Sequence, residues 1–197
     1  FVFQDSRTIG ESKNNSGITV KTLPVFFHQA YFNLKLNKHS LTIGRFELAF
    51  GNQRIIAKNN WNNIGRSFEG VLLKGHSEIL NLHYHAFSLP FTEQISKHHD
   101  NSKDSWLGGI YLNTHFVSKP GNKLLTEAYY MFSQDSTEKY SYNMFGSRLD
   151  MNWNSLLLES EFAIQLNDSI NANLFSLNVG FQPKKKIFFN SITIGFE

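Results

Sequence analysis

Nine charged side chains, Arg45, Glu47, Arg54, Arg66, Glu69, Glu127, Arg148, Glu159 and Glu161, fall in or beside stretches where apolar and polar residues alternate. Asp5 and Arg7 extend the set toward the N-terminus. A guanidinium always carries charge and offers a planar fork of donors that fits a carboxylate. Along a wetted wall of low dielectric, such groups attract anions, and weak sites in series let them leave again. Interleaved with glutamates, the same arginines can instead form an ion-pair ladder that stiffens the wall. Residue type alone leaves both roles open. No catalytic set is expected: Glu159 and Glu161, two apart, resemble a glycosidase pair only generically, and nothing else marks a sugar cleft. His83 and His85 share a parity, and His98, His99 and Asp100 fall in a polar connection, but no partner stands at a recognisable ligand spacing. Neither metal nor cofactor is therefore expected. Trp61 reads as packing for a long loop rather than as a sugar platform.

The elements that position these residues have a period of two throughout, with no sustained helical period. Eleven strands are expected, at 2–11, 25–36, 40–50, 66–75, 78–88, 105–118, 123–134, 138–150, 154–166, 170–182 and 186–197. In LLLESEFAIQL, Leu156, Leu158, Phe162, Ile164 and Leu166 oppose Glu159, Glu161 and Gln165. In LLTEAYYMF, Leu124, Ala128, Tyr130 and Phe132 oppose Glu127, Tyr129 and Ser133. Over GRFELAF the same rule turns Phe46, Leu48 and Phe50 one way and Arg45 and Glu47 the other, although Leu41 and Ile43 share the parity of Arg45. The connections alternate between a tight set, such as LNKHS, KGHSE and SKPGNK, and a set that includes long polar stretches at 12–24, 51–65 and 89–104.

Composition narrows the classes. Charge is mildly basic at +3, and the one lysine run, Lys184 to Lys186, follows Pro183 as a solvated turn would, so no nucleic-acid partner is expected. Cysteine is absent, which removes disulfides and thiolate metal sites. Aromatic residues make up 15% of the chain, yet mean hydropathy is −0.32, as strands with one apolar and one wet face require. No apolar run approaches the ~18 residues of a spanning helix. No secretory leader is visible in FVFQDSRTIGE, so the sequence reads as a mature or internal segment.

Two solvents could sit against the apolar faces, a protein core or a bilayer. Strands of ten or more residues, with short turns on one rim and longer loops on the other, favour a transmembrane barrel over a sandwich, whose strands run to about five or six residues. In hydrocarbon every backbone group must be paired within the protein, so β-structure crosses only as a closed wall. On this reading Phe46, Leu48 and Phe50 meet acyl chains while Arg45 and Glu47 point into a watery lumen. The competing class is a soluble carbohydrate-binding or polysaccharide-cleaving sandwich or jelly roll. Greek-key crossovers and buried Phe/Leu faces would identify it.

The stretch GRFELAFGNQRIIAKNNWNNIGRSFEGVLL resembles the signature of the alginate export family of outer-membrane β-barrels. The residues that carry the resemblance are Gly44, Arg45, Glu47, Gly51, Gln53, Arg54, Trp61, Gly65, Arg66, Phe68 and Glu69, with weaker echoes in QDSRTIGE and FGSRLDMNWNSLLLESEFAIQ. The resemblance implies an all-β, antiparallel up-and-down transmembrane barrel of about eighteen strands, of which this chain would be one partial domain of about eleven without linker or second domain. It further implies an outer-membrane channel in a Gram-negative-type bacterium, passing an anionic polysaccharide or small solutes through a lumen lined by the arginines and glutamates above. Its partners would be outer-membrane lipid, the solute and periplasmic export proteins.

Overall fold

A computed structural model describes residues 1–6, 23–58, 65–91, 105–119, 121–135, 140–167, 171–183 and 192–196. Trp61, Arg7, His98, His99, Asp100 and Lys184 to Lys186 lie outside these residues, so the expectations attached to them are not addressed. The strands are β1 (Val2–Ser6), β2 (Leu23–Leu36), β3 (His39–Phe46), β4 (Phe68–Ser77), β5 (Leu82–Phe91), β6 (Ser105–Lys119), β7 (Asn122–Asp135), β8 (Tyr140–Trp153), β9 (Leu156–Leu166), β10 (Ala172–Phe181) and β11 (Ile192–Phe196). They form one 11-stranded sheet whose spatial order is the chain order, every neighbouring pair antiparallel. A Greek key would break that order, so the sandwich and jelly-roll alternative fails on topology.

The tight connections use left-handed residues. Asn37 (φ 51°), Asn81 (φ 46°) and Asn154 (φ 59°) turn three of them, and Gly121 (φ 90°) a fourth. Asparagine is the non-glycine residue that best tolerates this region, and its presence at three of these turns, with glycine at the fourth, lets the connections stay short.

One face of the sheet is apolar and open. Phe32, Ile43, Val71, Ile110, Tyr130, Phe145, Phe162, Phe175 and Val179 are all exposed on it, and they form cross-strand neighbours from β2 to β10. The other face is covered in part. Residues 47–58, after β3, fold over it, so that Phe50 packs on β5 and β6 while Arg54 reaches Glu161 on β9. Four residues apart, Phe50 and Arg54 thus reach side chains from β5 to β9 on this one face. The covered face is thus the inner face of a partial barrel, and the open apolar face is its outer wall.

This arrangement corrects the reading of GRFELAF. Strand β3 ends at Phe46, and Phe46, Leu48 and Phe50 are buried at 3%, 4% and 8% exposure in an inner cluster with Ile56, Phe68, Leu72, Phe87, Leu89 and Met131. They meet protein and not acyl chains. The outer row of β3 is Leu41 and Ile43, and Arg45 follows them by parity.

Two glycine positions are required by contact. Gly44 (φ 125°) and Gly70 (φ 148°) are direct partners on β3 and β4, and a Cβ on Gly44 would lie 2.5 Å from the Ala30 carbonyl oxygen. At Gly146 a Cβ would fall 2.2 Å from the Tyr129 ring, which lies across the glycine. Gly146→Ala is therefore expected to push that ring aside and cost about 1–3 kcal/mol. Equilibrium unfolding by denaturant in lipid vesicles measures the loss.

Candidate functional site

The register assembles the inner face in rows. One row runs His76, His83, Asn113, Glu127, Arg148, Glu161 and Ser176 from β4 to β10. The row beside it runs Lys35, Ser40, Lys74, His85, Tyr111, Tyr129, Gly146, Ala163 and Leu174. A third pairs Asp150 with Glu159 and Glu159 with Asn178. Because side chains alternate, residues separated by more than a hundred positions become neighbours on one surface.

Arg148 is the hub. Its Nη1 donates to Glu127 Oε2 at 2.7 Å, its Nη2 to Glu159 Oε1 at 3.1 Å, and Asp150 Oδ2 lies 3.7 Å from Nη2. The Arg148 and Glu127 side chains are 9% and 7% exposed. Glu161, 5% exposed, accepts from the Tyr129 hydroxyl at 3.1 Å and has Arg54 Nε at 3.7 Å. Charges this far from water are sustained only when paired and hydrogen-bonded, and here nearly every group has a partner.

The inward segment plugs into this network. Gly51 (φ 53°) and Gln53 (φ 65°) turn it back, with Gln53 N–H donating to Phe50 O at 2.9 Å and Phe50 N–H to Ile56 O at 3.2 Å. A Cβ on Gly51 would come within 3.3 Å of Glu127 Oε2, so only glycine fits there comfortably. Asn52 Nδ2 donates to Glu159 Oε1 at 3.1 Å. Phe50 stacks on Tyr111 with ring centroids 4.2 Å apart, and Tyr111 on Tyr129 at 5.8 Å. Glu47 holds the root of the segment: His28 Nε2 lies 2.9 Å from its Oε1 and Lys58 Nζ 3.2 Å from its Oε2. Burial opposes the Glu47 carboxylate, but the hydrogen bonds to His28 and Lys58 outweigh it and hold its pKa below the ordinary value.

Among the sequence-expected residues, Glu127, Arg148, Glu159, Glu161 and Arg54 are brought together. Glu47 is apart from them at the start of the segment. Arg66 borders a cavity of about 290 Å³ with Ile55, Phe68, Leu107, Met131 and Tyr142. Its guanidinium lies 4.9 Å from the centre of the Phe68 ring, and burial lowers its pKa. Arg45 and Glu69 are different. They are direct cross-strand partners on the outer face beside Ile43 and Val71, bridged at 2.7 Å, with Arg45 also donating to Ser67 Oγ at 3.0 Å. The lumenal direction expected for them is not what the register shows. They sit at the last turn of β3 and the first of β4, the end of the wall where an outward charge costs only about 0–1 kcal/mol.

Sequence reasoning missed Asn52, Tyr111 and Asp150 as members of the network. Asp150 was within reach, since it lies two residues beyond Arg148 on the same strand and face. Asn52 was not, because its place depends on how a loop folds. Among the described residues no three histidine or carboxylate side chains come together as a metal site.

No curated protein and no solved structure matches this chain. A family model described as alginate export matches residues 1–182. That family consists of outer-membrane β-barrels of the transport type. The match covers nearly the whole chain and agrees with an up-and-down sheet that is apolar outside and charged within. The chain belongs to the alginate export family.

Proposed function

We propose that this protein is a channel of the bacterial outer membrane. Polysaccharide or small solutes would pass along an inner wall formed in part by Glu127, Arg148, Glu159 and Glu161, with Arg54, Arg66 and Glu47 presented from the chain between β3 and β4. The observation that carries this reading is the split of the sheet. A largely apolar surface runs across its outer face, and a hydrogen-bonded ionic network runs across its inner one. Lipid can solvate only the first, and water or a polar solute only the second. The segment from Glu47 to Lys58 narrows the bore on this side, since its Phe50 and Ile56 are buried against the wall.

Planar-bilayer recording with the intact protein tests the reading. Discrete conductance steps are expected, and Phe50→Ala is expected to enlarge them. A barrel serving only as an adhesin or scaffold would show no steps in either protein, and the channel reading would fall.

A further inference from the structure

Away from the Arg148 network, the inner face carries a second polar cluster with a different composition. On β4 and β5, Lys74 stands directly opposite His85 and His76 directly opposite His83. The four form a square on the inner face, toward the tight-turn end of the wall. The His76 and His83 rings lie 4.2 Å apart. Lys74 and His83 are exposed, and His76 and His85 are half-buried. The neighbours add more basic and neutral groups: Lys35 and Ser40 continue the Lys74 row on β2 and β3, and β6 supplies Tyr111, Asn113 and exposed His115. From the inward segment, Phe50 stacks against His85.

No carboxylate enters the square among the described residues. Continuing along the His76 row, Glu127 is reached only beyond Asn113, and it is bound to Arg148. Glu78, in the adjoining turn, is bridged to Lys38. Buried Nδ1 atoms of His76 and His85 have no hydrogen-bond partner. A native protein rarely leaves buried imidazole nitrogens unmet and places a lysine beside them without acids to balance it.

We propose that this square is an oxyanion-binding site, taking a carboxylate, sulfate or phosphate group of the solute where it meets the tight-turn mouth of the barrel. The proposal rests on the channel reading for its place in transport, but the binding itself does not. Lys74 supplies fixed charge. His76 and His83, with ring centroids 4.2 Å apart, supply N–H donors from which the oxygens of an oxyanion accept.

Two measurements on the intact protein separate the possibilities. In lipid bilayers under a salt gradient, Lys74→Gln should lower the anion-to-cation permeability ratio of the wild type by about twofold or more. The His76→Asn/His83→Asn protein should show a lowered ratio as well. In detergent, inorganic phosphate at pH 5.5 should shift the ring-proton resonances of His76 and His83, assigned by the single variants. A ratio unchanged in both variants, or resonances indifferent to phosphate, overturns the site. Resonances that respond to zinc and not to phosphate would place a metal there instead, which also overturns it. Phosphate-dependent shifts in a protein without conductance would leave the site standing and remove the channel.

Discussion

Arg148→Met is expected to destabilise the protein by about 3–5 kcal/mol, the cost of stripping one partner from a buried ion pair. The magnitude follows from what the guanidinium holds. Glu127, with a side chain 7% exposed, takes its shortest bond, and Glu159 and Asp150 share its other nitrogen. Methionine fills much of the volume but leaves Glu127 charged and without that donor. Denaturant unfolding from lipid vesicles reads the loss. Adding Glu127→Gln should restore more than half of it, because the amide carries no charge to strand and can still accept from the Tyr111 hydroxyl of the adjoining row. If the double variant is no more stable than Arg148→Met, the arginine acts through packing and the ion-pair account is wrong. Permeation gives a separate reading, since an arginine held this tightly is more a strut than a docking point for solute. The two roles left open by residue type are thus told apart by whether selectivity or stability moves first.

Phe162→Arg should cost about 2–4 kcal/mol, the penalty for a cation near the midplane of a lipid-facing wall. Phe162 lies in the middle of β9, 44% exposed, between Ser147 and Phe175 on the outer face. Gln165, three residues along the same strand, faces inward against Met144 and Ala172. Gln165→Arg should stay within about 0.5 kcal/mol, as surface changes commonly do. Insertion yield into vesicles, followed by denaturant titration, compares the two. Equal losses would mean that both faces meet the same medium, and the transmembrane assignment would fail with them.

How far the residues disclosed this in advance depended on how local each question was. Alternation on β6, β7 and β9 is clean, and it assigned Glu127, Glu159 and Glu161 to one face and Phe162 and Ile164 to the other before any fold was known. The tight connections at LNKHS, KGHSE and SKPGNK were legible as short, but that asparagine turns three of the tight connections came only with the structure. At Arg45 the alternation itself held, since Arg45 keeps the outer parity of Leu41 and Ile43; the misreading came from taking Phe46, Leu48 and Phe50 as the outer row. A pattern of period two carries no mark of where pairing stops, so Phe46, Leu48 and Phe50 read as a continuing outer row when the chain had already turned inward. Glu47 and Arg54 kept an inward place, but by way of the segment rather than the strand.

By itself the sequence determined the class of wall: strands, their chain-order pairing through short turns, and a split between apolar and charged faces. These follow from spacings of a few residues, and the alternation of side chains on a pleated strand imposes them everywhere. Tertiary structure alone decided that Asn52 meets Glu159 across 107 positions, that Arg54 reaches Glu161, and that Arg148 is shared among carboxylates of β7, β8 and β9. Those contacts depend on strand pairing and on the path of one inward segment. That path is held by the packing of Phe50 and Ile56 and by the left-handed turn at Gly51, and no local period encodes it.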